Sequence, residues 1–241
     1  MDHTEREIFN TLFDDHSRVR DPQAFRADLQ AMLATHGRDV LNDARNERLD
    51  GLVLRAVRDD NHDGTRALLE AGIDANQYGA SESPLHVAAA LNQHDDVKLL
   101  LEHHADVTLT DAMGRTALHH AASNETEANL RTLLDHGAAV DAIDRNGDTP
   151  LAIAVRDGAP GNAHYLLKRD ADPALAKQGQ AWRVAEAHVQ HTARNGRTAG
   201  EVGEGVTLIQ ETIVERERDE LRQAMRDAPA PVPTKALRQR L

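Results

Sequence analysis

The sequence contains no cysteine, and this absence removes several classes of site at once. Disulfide bonds, thiolate zinc sites and cysteine nucleophiles are excluded. The chain also lacks an apolar run approaching the roughly eighteen residues of a membrane span. Residues 1–10 lack the basic start and apolar core of a secretory signal. We therefore expect a cytoplasmic protein that does not insert into membranes.

Aromatic residues and lysines are also scarce. Aromatic side chains make up only 2% of the chain, so any binding surface depends on few aromatic anchors. Only 4 of the 28 basic residues are lysines. This bias is typical of GC-rich bacterial coding and gives a weak indication of a bacterial source.

The charge is strongly acidic and unevenly distributed. The net charge is −12, and residues 48–175 contain 21 acidic residues against 11 basic ones. A protein that binds a phosphate backbone needs a basic stripe, so we do not expect a nucleic-acid partner. The acidity favours a neutral or basic protein partner. The alternative is that it only keeps the surface well solvated.

One unit recurs through the middle of the chain at a spacing of 33 residues. The strings SPLHVAA, TALHHAA and TPLAIA begin at positions 83, 116 and 149, and Leu85, Leu118 and Leu151 are successive equivalents. Serine or threonine before this leucine supplies a helix N-cap, and proline suits the first helical turn. A second amphipathic segment follows in each copy. Each unit is therefore a helix pair with one apolar side, which only stacking can bury.

These strings and their spacing resemble the ankyrin repeat, whose signature is T-P-L-H-x-A with a period of 33 residues. The resemblance implies an all-α solenoid of stacked helix-turn-helix units, joined by β-turn or hairpin loops, with helical caps at both ends. It also implies that His86 and His119 tie their helices to neighbouring turns by hydrogen bonds. Each second helix is expected to end in a left-handed residue, at Gly72, His104, Gly137 and Asp170.

The predicted organisation has four parts. Residues 1–48 form a helical N-terminal cap, and residues 49–177 form repeats one to four, at 49–80, 81–113, 114–146 and 147–177. The opening motif returns at 195–199, about sixteen residues later than the period requires. We therefore expect residues 178–227 to contain an inserted helix and a degenerate fifth repeat that serves as the C-terminal cap. Residues 228–241 are expected to be a flexible tail.

No residue pattern indicates catalysis. The chain has no nucleophile elbow, zinc-protease motif, Walker loop or dinucleotide fingerprint. His188 and His191 share a helical face, but the sequence nominates no third metal ligand. Acid pairs such as Asp95 and Asp96 are expected to be exposed in helix-helix turns. We predict no enzyme activity, no metal and no cofactor.

The ankyrin resemblance implies that another protein binds a concave surface, made by the tips of the turns and the exposed side of the first helices. At these positions the predicted partner-binding residues are Tyr78, Leu91, Leu109, Thr110, Asp111, Met113, Arg115, Asn124, Ile143, Arg145, Asn146 and Arg156. Leu109 and Ile143 have an equal alternative, in which they tuck between adjacent turns.

Two other functions stay open at this stage. Ankyrin arrays are common among bacterial effectors, and the basic end at 235–241 suits a secretion signal. Alternatively, the caps at 1–47 and 178–241 conceal an enzyme. The sequence predicts neither the identity of the partner nor the oligomeric state.

Overall fold

The computed structural model describes residues 3–14, 21–46, 50–124, 126–194 and 200–227. These residues form helices and turns without a β-strand, which confirms the predicted all-α class. A π-helical turn, Asn10–Asp14, follows the first helix. The helices are α1 (His3–Phe9), α2 (Pro22–Asp43), α3 (Leu52–Arg58), α4 (His62–Glu70), α5 (Pro84–Ala90), α6 (His94–Glu102), α7 (Ala117–Ala122), α8 (Ala128–Asp135), α9 (Pro150–Arg156), α10 (Pro160–Lys168), α11 (Pro173–Ala176), α12 (Gln180–Arg194) and α13 (Gly200–Asp227).

The helices from α3 to α10 form four stacked pairs. The first helix of each pair, called the inner helix, packs on the next inner helix, from α3 through α5 and α7 to α9. The outer helices α4, α6 and α8 pack in the same succession. Leu85, Leu118 and Leu151 are 2%, 1% and 0% exposed, so the predicted equivalents share one buried environment. The ankyrin-type solenoid predicted from the 33-residue spacing is confirmed.

Histidines fix the starts of two inner helices in the predicted way. The Nδ1 atom of His86 accepts hydrogen bonds from the backbone N–H and the hydroxyl of Ser83, and Nε2 donates to the Arg115 carbonyl in the next tip at 3.0 Å. His119 makes the equivalent bonds, with Nε2 donating to the Asp148 carbonyl at 3.1 Å. Each ring therefore caps its own helix and ties it to the next repeat.

The left-handed residues after the outer helices are also confirmed. Gly72 and Gly137 have φ of 80° and 87°, and His104 and Asp170 have 64° and 66°. At this position glycine costs little, whereas a side chain with a Cβ is strained. Two of the four units therefore carry a small local destabilisation.

An aromatic cluster precedes the first pair. The rings of Phe9 and Phe13 stack at 5.7 Å, and Phe25 meets Phe13 edge-on at 5.9 Å. Helix α2 packs on α4, as a cap of the outer-helix layer would. The predicted limits of the cap stay a prediction.

Helices α12 and α13 follow the fourth pair. Helix α12 packs on α9, which also packs on α7, and Trp182 of α12 is only 2% exposed. Helix α13 packs on α9 and α10, and a Cβ added at Gly205 would lie 3.2 Å from a methyl group of Val155. The motif at 195–199 and the tail at 228–241 lie outside the described residues. The predicted inserted helix, fifth repeat and flexible tail therefore stay predictions.

The prediction that the Asp96 side chain is exposed is wrong. Its side chain is 2% exposed, and one carboxylate oxygen accepts a hydrogen bond from His62 Nδ1 at 2.7 Å. Burial raises the pKa of Asp96, although the bond from His62 opposes this. Asn129 and Asn162 hold the equivalent positions in the next repeats and are also buried, so this position faces the preceding unit.

None of the helices in the described ranges combines the length and apolarity needed to cross a lipid bilayer.

Candidate functional site

The first, second and third tips of the solenoid are residues 77–82, 108–115 and 141–148. The second and third are built by the same kind of turn. In the second tip, the Asp111 carboxylate accepts hydrogen bonds from the backbone N–H groups of Met113 at 2.7 Å and Arg115 at 2.9 Å. Gly114, with φ of 76°, supplies the left-handed residue that closes the turn. The third tip repeats this arrangement around Asp144. Both carboxylates therefore hold a turn together instead of facing solvent.

One backbone hydrogen bond joins each tip to the next. Ala112 N bonds to Ser81 O at 2.9 Å and Arg145 N to Met113 O at 3.0 Å, and Gln180 N at the start of α12 bonds to Asn146 O of the third tip at 3.4 Å. These bonds form a backbone ladder along the tips. Side chains carried by the tips are thus held at a spacing that the main chain sets.

The first tip lacks this type of turn and is tied by a side chain. The Tyr78 hydroxyl donates to the Thr110 carbonyl in the second tip and lies 3.4 Å from the Ser81 carbonyl. Burial, followed by the charges of Asp111 and Glu82, raises the pKa of the Tyr78 hydroxyl. Its ring stays 36% exposed. Tyr78 therefore both braces the tips and presents an aromatic face.

Several predicted site residues are exposed where the prediction placed them. Leu91, at the end of α5, is 54% exposed, Met113 44% and Ile143 52%. Leu109 is half-buried, as in the alternative that tucks it between turns, whereas Ile143 is open. Thr110, Arg145 and Asn146 are exposed as well. We call Tyr78, Thr110, Met113, Ile143, Arg145 and Asn146 the tip surface.

Other predicted site residues are already engaged within the chain. The Asn124 side chain donates to the Ala89 carbonyl of the preceding repeat at 2.7 Å. The Arg156 guanidinium pairs with both carboxylate oxygens of Asp157, at 2.7 and 2.8 Å. Arg115 pairs with Asp111 at 2.9 Å. These contacts fit a role in holding the surface better than a role in direct partner contact.

A buried polar cluster, which the sequence did not indicate, lies beneath the second tip. His120 Nε2 donates to an Asp111 oxygen at 3.0 Å, and the His120 ring meets the His86 ring edge-on at 5.7 Å. Burial and the positive charge of Arg115 lower the pKa of His120 to about 4, against the pull of Asp111. Burial would raise the pKa of Asp111, but the bonds from Arg115, Met113 and His120 outweigh it and the pKa is lowered. Asp111 is thus an internal anchor, not an exposed contact.

A groove of about 410 Å³ opens between α3 and α5. Val87, Ala90 and the exposed Leu91 line one side. Arg55 and Arg58 line the other, and their charges are paired with Asp59 and Glu82, each at 2.7 Å. The groove continues the exposed side of the inner helices and is lined by both charged and apolar side chains.

No candidate metal site is assembled in the part of the chain that the structure describes. No group of three histidines, aspartates or glutamates there is arranged to hold a metal ion. His188 and His191 lie on the exposed side of α12.

Comparison with known proteins gives relatives that match only part of this chain. The chain is 41% identical over 78 residues to a probable E3 ubiquitin-protein ligase, XBOS32, of Oryza sativa subsp. japonica, which covers 31% of this chain and 15% of that protein. It is 39% identical over 128 residues to the E3 ubiquitin-protein ligase XBAT32 of Arabidopsis thaliana, covering 52% and 24%. It is 31% identical over 140 residues to Rabankyrin-5 of Homo sapiens, covering 52% and 12%.

The chain therefore spans less than a quarter of the length of each of these relatives. They are plant and human proteins, and they give no support to a bacterial source.

A family model described as ankyrin repeats matches residues 28–111 and 85–177. These matches together cover more than half of the chain, and they span the stacked pairs from α3 to α10. This chain belongs to the ankyrin repeat family.

Proposed function

We propose that this protein is a non-catalytic binding module that holds another protein on its tip surface and on the adjoining side of the inner helices around Leu91. The observation that carries the proposal is where the exposed apolar side chains lie. Of the seven large hydrophobic side chains exposed in the described residues, Tyr78, Leu91, Met113 and Ile143 belong to this region. Clustered exposed apolar residues are typical of protein interfaces.

The rigidity of the tips supports the same proposal. The backbone ladder and the Asp111 and Asp144 turns fix the tips before a partner arrives. A surface that is ordered in advance loses less conformational freedom on binding. The same side chains on mobile loops would bind more weakly.

Ligase activity does not transfer from the plant relatives to this chain. The match covers only 15% and 24% of those proteins. An ankyrin stack is ordinarily a binding element, and we propose the same for this chain. The effector alternative rests on residues 235–241, outside the described residues, and stays a separate prediction, as does location in the cytoplasm.

The test is affinity capture with the wild-type chain, identification of the captured protein by mass spectrometry, and repetition with both proteins purified. Leu91, Met113 and Ile143 are changed together to serine. Tyr78 is kept, because its hydroxyl braces the Thr110 carbonyl. We expect binding to fall by at least about a hundredfold, as for central hot-spot residues, while the melting temperature stays nearly unchanged because the three side chains are exposed.

A matched control changes Val40 and Val214 to serine. These side chains are 41% and 45% exposed but lie on α2 and α13, away from the tips. Loss of binding in the control, or full binding by the triple variant, would show that the partner sits elsewhere.

A further inference from the structure

The charges along the tips and inner helices are almost all neutralised within the chain. The guanidinium of Arg58 lies 2.7 Å from Glu82, that of Arg115 2.9 Å from Asp111, and that of Arg156 2.7 Å from Asp157. Each of these cations already has a carboxylate partner. A new partner gains little from contacting them.

Arg145 differs from these three residues. It is exposed in the third tip, and none of the described carboxylates lies within ion-pair distance of its guanidinium. The neighbouring carboxylates of Asp144 and Asp148 are only 7% and 1% exposed. Both carboxylates accept hydrogen bonds from the backbone: Asp144 from the N–H of Asn146, and Asp148 from the N–H of Ala181. The free cation of Arg145 therefore faces outward while the adjacent anions face inward.

Apolar side chains flank this cation. The Arg145 N–H is bonded to the Met113 carbonyl at 3.0 Å, and its Cγ would lie 3.2 Å from a Cβ added at Gly114, so its stem lies over that glycine. Met113 and Ile143 are 44% and 52% exposed. The stem is thus placed beside the second tip, on the same surface as the exposed Met113 and Ile143.

From this arrangement we infer that the tip surface recognises an acidic, apolar segment of a partner protein, with a carboxylate paired to Arg145 and apolar side chains on Met113 and Ile143. The inference rests on the proposed function and specifies its ligand. A guanidinium pairs with a carboxylate through two parallel hydrogen bonds, which gives geometric specificity as well as attraction.

The overall charge of −12 predicts the opposite partner, neutral or basic. Charges separated by more than about 8 Å are largely screened at physiological ionic strength. The contact itself is therefore governed by the nearest exposed groups, Arg145, Met113 and Ile143, because the neighbouring carboxylates of Asp144 and Asp148 are buried. The net charge slows the approach of an acidic partner without setting which segment fits.

The test is selection of displayed random peptides of about a dozen residues, long enough to cross several tips, on the immobilised wild-type chain. We expect the enriched peptides to combine aspartate or glutamate with leucine, isoleucine or phenylalanine. Enriched peptides are then synthesised and their affinities measured. Arg145→Glu should weaken binding by at least about tenfold, because like charges then meet. Arg145→Lys, which keeps the charge but loses the paired geometry, should weaken it by only about threefold.

Lys98→Glu is the matched control. Lys98 is exposed on the outer helix α6, and its reversal changes the net charge by the same amount as Arg145→Glu. Binding by this control should equal that of the wild type. Raising the salt concentration should reduce the difference in affinity between the wild type and Arg145→Glu, because salt screens the attraction in the first and the repulsion in the second.

The outcomes separate this inference from the proposed function. Enriched peptides that are basic or uncharged, or that bind Arg145→Glu normally, overturn the inference. If those peptides still require Leu91, Met113 and Ile143, the proposed function stands. Two outcomes count against both the inference and the proposed function. One is that the peptides bind the variant with serine at Leu91, Met113 and Ile143 as tightly as they bind the wild type; the other is that the selection enriches no peptide.

Discussion

The buried neutral His120 makes the stability of this protein depend on pH in a defined direction. Its side chain is 12% exposed, and burial together with Arg115 lowers its pKa from 6.5 to about 4. As the pH falls, the unfolded chain therefore binds a proton before the folded chain does. The stabilising contribution is complete above pH 6.5 and is lost progressively between about pH 6.5 and about pH 4.

The expected magnitude follows from these two pKa values. Between about pH 7.5 and about pH 5.5, proton linkage at His120 lowers the free energy of unfolding by about 1 kcal/mol. Burial also lowers the pKa of His86 and His119, which adds to the loss. The raised pKa values of Asp96 and Asp148 act with the opposite sign. The contribution of His120 must therefore be measured as a difference between two proteins.

The variant is His120→Gln, whose amide can replace the Nε2–H donor to Asp111 but does not titrate. Urea unfolding of both proteins, followed by far-ultraviolet circular dichroism, is measured at the two pH values. The wild type should lose about 1 kcal/mol more than the variant on acidification. His164→Gln, at an exposed position on α10, should keep the wild-type response. Equal losses in the wild type and in His120→Gln would refute the assignment of a buried, neutral His120.

Three further predictions concern stability. Leu118→Ala should lower the free energy of unfolding by about 2–5 kcal/mol in urea titration, because the side chain is 1% exposed in the stack, whereas Leu91→Ala should change it little. His104→Gly should raise it by up to about 1 kcal/mol by removing a left-handed side chain, and Gly137→Ala should have the opposite effect. Asp96→Asn should raise the melting temperature at neutral pH, because the raised pKa shows that the fold disfavours the ionised form; an unchanged or lower value would contradict this.

The repeat architecture could be predicted because its determinants recur. Leu85 and Leu118 occupy the same environment, and one stacking geometry imposes one residue type at each equivalent position. The residues with left-handed backbone after the outer helices could be predicted from the same spacing, even where His104 and Asp170 replace glycine. Spacing therefore carried information about both the core and the helix ends.

The candidate site was predicted only in part, because contacts between repeats join residues far apart in sequence. The side chain of Asn124 looked free but bonds to the Ala89 carbonyl one repeat earlier. Asp111 looked like an exposed tip residue, but its turn and His120 enclose it. Burial of Asp96 depends in the same way on His62 in the preceding unit. Sequence position alone does not reveal which polar side chains are used internally.

The main-chain bonds between successive tips allow the outer side chains to change without altering the framework. Met113 and Arg145 contribute only peptide groups to that framework: Met113 supplies a carbonyl and Arg145 an N–H, which any non-proline residue could supply. New side chains at these two positions can therefore alter what is recognised at little cost to folding. The same scaffold could acquire a different ligand through a few substitutions on its rim.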